Sequence, residues 1–137
     1  MDNRFIEIIR LIKNSRLKAL KIVNEELINL YWNIGKHVST KIEQSEWGDS
    51  VVTELSKYIQ NNKPDLKGFS DKNIWRMKQF YDTYKDFPKL STLLRDISWS
   101  QIIKFNCQIN SYYRRNYKSY LIVDLIIFAK IITEQAH

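Results

Sequence analysis

The sequence predicts an all-α protein: a compact helical domain with a long N-terminal amphipathic helix and a helix-turn-helix-like unit. Three observations carry that expectation. The 137 residues include only three glycines and two prolines, too few of the residues that reach positive φ or pre-set a turn to build a chain of hairpins. Hydrophobic residues make up 44% and aromatics 13%, which supports a core and excludes a disordered chain. Apolar positions recur at spacings of three and four rather than alternating.

Each element follows in order. Residues 5–42 hold no proline and one glycine, and Leu20, Val23, Leu27, Leu30, Ile34 and Val38 keep the helical period, so they predict one side of a long helix. Asn14-Ser15 interrupts the first apolar cluster (Ile6, Ile8, Ile9, Leu11, Ile12). Two readings therefore stand: an unbroken helix, or a short first helix with Ser15 capping a second. Trp47-Gly48 closes the long helix, and Asp49 or Ser50 opens another that directs Val51, Val52, Leu55, Tyr58 and Ile59 to the core. Asn61-Asn62-Lys63-Pro64 stops it, and Asp65-Leu66-Lys67-Gly68-Phe69 has the composition of a connecting loop. Ser70 caps a helix reaching about residue 85, with Ile74, Met77, Tyr81 and Tyr84 as its inner stripe and Lys72, Arg76 and Gln79 on another side. Phe69 and Ile74 are spaced as a hydrophobic staple. After Phe87-Pro88, residues 89–98 read as a short loop with a helical turn around Leu93-Leu94. Residues 99–118 mix aromatics and bases without a clean period, and residues 120–132 are most simply a final helix. That run is short of the ~20 residues that span a bilayer and contains Asp124 and Lys130, so no membrane anchor is expected.

Several function classes are excluded at this level. The N-terminus carries Asp2 at once and has no secretory signal, and a lone cysteine agrees with a reducing compartment, so a cytoplasmic protein is expected. Cys107 itself reads as a buried small hydrophobe rather than a nucleophile. His37 and His137 have no partners at metal-ligand spacing, and Gly35, Gly48 and Gly68 stand alone, so neither a metal, a phosphate loop nor a dinucleotide cofactor is indicated. Pro64-Asp65-Leu66-Lys67 spells pieces of a metal-dependent nuclease motif, but one aspartate serves both pieces and no strand is predicted to hold it. The chain is not expected to be an enzyme.

A net charge of +7 favours a polyanionic partner such as DNA or RNA over an acidic small molecule, and the partner expected from the helix layout is double-stranded DNA. The window of residues 57–78 holds Lys57, Lys63, Lys67, Lys72, Arg76 and Lys78 against Asp65 and Asp71. Within it, a helix, a connection containing Gly68 and a capped second helix have the layout of a helix-turn-helix, in which the start of the second helix enters the major groove. Lys67, Ser70, Lys72, Asn73, Arg76 and Lys78 are the candidate DNA-binding residues, with Asn73 and Arg76 chemically suited to adenine and guanine edges. An ordinary two-helix corner with a solvated polar face accounts for the same pattern equally well. Tyr31, Trp32, Trp47, Trp75, Phe80 and Trp99 lie on apolar sides and read as core aromatics rather than base-stacking platforms.

The strings Leu30-Tyr31-Trp32-Asn33-Ile34-Gly35-Lys36, Trp47-Gly48, Leu55-Ser56, Gly68-Phe69-Ser70-Asp71-Lys72-Asn73-Ile74-Trp75-Arg76-Met77-Lys78-Gln79-Phe80-Tyr81 and Ile97-Ser98-Trp99-Ser100 resemble the N-terminal domain of the YhcG family over about residues 5–100. The resemblance implies a helical, helix-turn-helix-like domain of the kind joined in that family to a C-terminal PD-(D/E)XK nuclease domain, and hence a DNA-targeting half of a nuclease system. These 137 residues are not expected to contain a nuclease domain, and after Ser100 the family continuation is not recognisable. Residues 1–100 are therefore read as the family domain, and residues 101–137 as a helical extension packed on it, either divergent or from an altered reading frame. A rival reading is an interaction module whose long N-terminal helix pairs with a second copy or a separate nuclease subunit.

Overall fold

The computed structural model describes residues 3–115, with side-chain packing defined through residue 108. The helix predicted over residues 120–132 lies outside the described residues. Five α-helices follow in order: α1 (Asn3–Glu43), α2 (Asp49–Asn62), α3 (Asp71–Tyr84), α4 (Pro88–Leu93) and α5 (Trp99–Arg115), with a 3-10 turn at Leu94–Asp96 between the last two. The fold is all-α, and no strand occurs among the described residues.

α1 passes through Asn14-Ser15 without a break. With no proline or glycine there, Asn and Ser each cost a helix interior only a few tenths of a kcal/mol relative to Leu or Lys. At 1.5 Å per residue the helix is about 60 Å long, and apart from the Lys21–Asp96 ion pair its second half makes the contacts with the rest of the domain. Residues 3–23 are exposed throughout.

The core forms where that second half crosses α3. Ile28 and Tyr31 join Met77, Phe80, Tyr84, Leu90, Leu94, Ile97, Ile102 and Phe105 in the main cluster, and Val38, Val52 and Ile74 make a smaller one beside α2. α3 is the hub, touching α1, α2, α4 and α5. The crossing depends on Gly35, because a Cβ there would run into the main-chain carbonyl of Met77. Gly35 therefore sets the rotation of α1, and its buried line is Ile28, Tyr31, Gly35 and Val38. Of the stripe the sequence suggested, Val38 is buried and Ile34 packs on both clusters, but its earlier positions lie about a quarter turn away: Leu20 and Val23 are 66% and 65% exposed, and Leu27 and Leu30 are exposed as well. The period was legible but the side was not, since α1 is apolar on more than one side.

Smaller corrections have the same character. In α2, Val52 and Ser56 are buried while Tyr58 is 66% exposed, because Tyr58 lies more than a quarter turn from the line through residues 52, 56 and 59. In α3 Phe80 occupies the centre and Tyr81 only half enters, edge-on to Trp32. Residues 89–98, read as a loop, are mostly helical: Pro88 occupies the first turn of α4, where a missing N–H costs nothing, and Leu90, Leu94 and Ile97 are drawn into the core. α5 begins at a capping box, in which Gln101 N–H donates to Ser98 Oγ at 3.3 Å and Ser98 N–H donates to Gln101 Oε1 at 3.1 Å. Its inner side presents Ile102, Phe105 and Asn106, so Cys107 points outward and is exposed rather than buried. Asn106 instead is inside, where its Oδ1 accepts from the Tyr84 hydroxyl at 2.6 Å.

Candidate nucleic-acid interface

The connection between α2 and α3 is held from both ends. Ser56 Oγ, buried on α2, donates to the Phe69 carbonyl at 2.8 Å. Gly68 takes φ +91°, a left-handed conformation that only glycine adopts without strain. Its carbonyl accepts from Asn73 Nδ2 at 2.5 Å. Ser70 caps α3 by accepting from the Asn73 N–H at 3.1 Å, as the sequence indicated. Phe69 and Ile74, the staple pair, line one apolar cavity of about 470 Å³ with Leu55, Leu66 and Trp47.

Asn73 is thereby committed to the fold. Its amide N–H reaches Gly68, and its Oδ1 accepts from Trp99 Nε1 at 2.9 Å, tying the loop to α5. These bonds use one of its two amide N–H donors and one lone pair of its carbonyl and fix the orientation of the side chain. Lys78 is held by Asp82 at 2.6 Å, and Asp82 also accepts from Ser39 Oγ on α1 at 2.5 Å.

The remaining cations are differently placed. Lys72 and Arg76, one turn apart, line an open groove with Trp75, Gln79, Thr83 and Cys107. Lys72 is exposed and Arg76 half-buried; neither forms an ion pair among the described residues. Lys67 and Ser70 border a separate recess with Pro64, Leu66 and Phe69. Lys72 and Arg76 thus share one side of α3, Lys78 reaches the same wide groove from another side of the helix, and Lys67 and Ser70 stand apart in their own recess. The groove also receives Asp71 and Asp82, which moderates its positive field.

Arg95 shows what a cation committed to the core looks like by comparison. Its guanidinium donates to Asn29 Oδ1 at 2.6 Å and to the Ser91 carbonyl at 3.1 Å, and lies 5.0 Å from the Trp32 ring centroid. Burial lowers its pKa below the ordinary arginine value. The six motif aromatics are likewise structural. Tyr31 and Phe80 are core residues, Trp32 and Trp99 pack on the main cluster, and Trp47 and Trp75 pack on the smaller one.

One basic feature escaped the sequence reading. Within residues 3–23 of α1, Arg4, Arg10, Lys13, Arg16, Lys18 and Lys21 face a single carboxylate, Glu7. A charge count over residues 1–45 hides this, because Asp2, Glu25, Glu26 and Glu43 fall in the same window. A window the length of the projecting segment would have shown it.

Fold and groove define the class: an all-α domain built around one central helix, in which no described helix is long and apolar enough to cross a membrane. The chain belongs to the DUF1016 N-terminal domain family, whose model matches residues 7–122. This is the YhcG family that the motif strings resemble. No curated protein and no solved structure matches the chain.

Proposed function

We propose that this domain is a duplex-DNA-binding module that docks on phosphates through Lys67, Lys72 and Arg76, with Lys78 as a weaker contact, and carries out no chemistry itself. The observation that carries the reading is the pair Lys72 and Arg76: two cations on successive turns at the start of a capped helix, opening on one groove and free of ion pairs among the described residues. A cation without an internal partner can exchange its counterions for phosphates, which is the main source of affinity for DNA. Base reading falls to Arg76 alone, since Asn73 is engaged within the fold. Membership of a family in which such a domain precedes a nuclease domain supports a targeting role, with cleavage left to another domain or subunit in the cytoplasm. A rigid recognition surface needs no metal or cofactor.

The test is a salt series on a labelled duplex. Removing Lys72 should weaken binding on every sequence alike and lower the salt slope by about one unit. Removing Arg76 should cost about 1–3 kcal/mol more on a preferred site than on random DNA if it pairs with guanine. Should Lys72→Glu with Arg76→Glu stay folded by circular dichroism and bind duplex as tightly as the parent, the face is wrongly placed. Cleavage of the same duplex by purified protein with Mg²⁺ would end the non-catalytic part of the reading.

A second reading, a protein-interaction module that pairs with a second copy or recruits a separate nuclease, is favoured by one observation. The apolar sides of α1 beyond the domain body are uncovered by any described residue.

A further inference from the structure

The exposed side of α1 from Phe5 to Leu30 combines two properties that rarely coexist on a solvated helix. Phe5, Ile9, Ile12, Leu20, Val23, Leu27 and Leu30 are all exposed, and with Arg16 completing the series they follow one another at intervals of three and four. Such spacing keeps them on one side of the helix over a length of about 40 Å. A continuous apolar seam of this kind on a soluble chain marks an interaction surface. The outer part of this stretch, residues 3–23, is strongly basic, with six cations against Glu7, while Glu25 and Glu26 flank the seam nearer the domain body. Arg10 is paired with Glu7 and Lys21 lies 3.9 Å from Asp96, whereas Lys13, Arg16 and Lys18 form no ion pair among the described residues.

Charge decides between occupants. A second copy laid along the seam would set one basic segment against another and leave Arg16, which lies within the seam, facing the partner's own apolar line or its Arg16. Like charges across such an interface are destabilising. Duplex DNA satisfies the cations but not the apolar line. An amphipathic helix with its own apolar residues at the same spacing and carboxylates flanking them satisfies both, since its acids would meet Lys13, Arg16 and Lys18 while its apolar side fills the seam.

We infer that the seam of α1 is the docking surface for an acidic amphipathic helix of another protein. The inference rests on the interaction reading and is independent of the groove on α3, so the two can fail separately.

The test uses the full chain and a labelled synthetic peptide of about four heptads, with leucine at the seam positions and glutamate and alanine elsewhere. Fluorescence anisotropy should show saturable binding that falls with added salt. A peptide of the same composition with its leucines scrambled should not bind, nor should the version with lysine for glutamate. Leu20→Gln with Val23→Gln removes apolar area but keeps charge and helix propensity, and should weaken binding at least about tenfold, with affinity for duplex DNA unchanged. Lys13→Glu with Arg16→Glu should abolish binding of the acidic peptide and admit the lysine version. Four results overturn the inference. The chain sediments as a dimer that Leu20→Gln with Val23→Gln dissociates, and the peptide does not bind. The chain binds vesicles containing anionic lipid but not the peptide. The peptide binds only after residues 116–137 are removed. The chain is monomeric and binds neither peptide nor vesicles.

Discussion

At the scale of single residues, two motif positions have structural roles that stability measurements can test. Gly35 sits inside a helix, where alanine is intrinsically favoured by roughly 1 kcal/mol. Here the preference inverts, because an added Cβ would strike the Met77 carbonyl, and that carbonyl belongs to the backbone of the central helix and cannot swing aside. Gly35→Ala should therefore destabilise by about 1–3 kcal/mol, the usual cost of overpacking, read from the urea midpoint. Gly48, where a Cβ would meet nothing within 4 Å, provides the control and should shift less. If Gly35→Ala stabilises instead, the close approach of α1 to α3 is wrong. Asn73 is the second case. Its side chain joins the Gly68 carbonyl to Trp99 Nε1, so Asn73→Ala leaves both partners short and should cost about 1–3 kcal/mol of stability. Among molecules that remain folded, sequence preference and salt slope should be those of the parent. Unchanged stability with a lost adenine preference would restore Asn73 as a base reader.

At the scale of elements, what was legible depended on how many neighbours an element has. α2 and α3 were found with their limits and the Ser70 cap, because Gly68, Pro64 and Ser70 are strong local signals read without tertiary context. The inner stripe of α3 was right at Ile74, Met77 and Tyr84, but a helix covered by four others has no single inner side. Phe80 and Tyr81 both fit the period, and packing alone selects Phe80. The same coverage bears on the site. Only Asp71 and Lys72 of α3 are exposed, so its accessible side is the floor of a groove rather than a free ridge, something periodicity cannot show. α4 and α5 were the elements least visible. Pro88 ends one helix and opens the next, and Ser98-x-x-Gln101 is a readable start signal obscured by the crowding of aromatics and bases after it. Where local signals are strong the sequence suffices; where neighbours choose among equivalent sides it does not.

At the scale of the whole molecule, the chain divides into a packed body and a helical arm, and the two should differ sharply in stability. The body holds every buried side chain described, from Ile28 through Asn106. The arm, residues 3–20, has no buried residue; the ion pair of Arg10 with Glu7 is exposed and of the kind worth only a few tenths of a kcal/mol. Isolated helices of about this length are marginal in water, so the arm persists mainly as a continuation of a helix nucleated in the body. Amide hydrogen exchange should follow that division. Amides of Tyr31, Val38, Ile74, Met77 and Phe80 should exchange only through global unfolding. Protection should fall steadily from Asn24 toward Phe5, with the amides of residues 5–12 exchanging fastest within the arm. Trypsin should likewise cut first at Arg10, Lys13, Arg16 and Lys18 while Lys36 and Lys41, on the body half of the same helix, survive. A flat, high protection along the arm in the isolated chain would mean that something already covers it. Dilution separates the possibilities, because protection lost as concentration falls comes from another molecule, and protection indifferent to concentration comes from the chain itself.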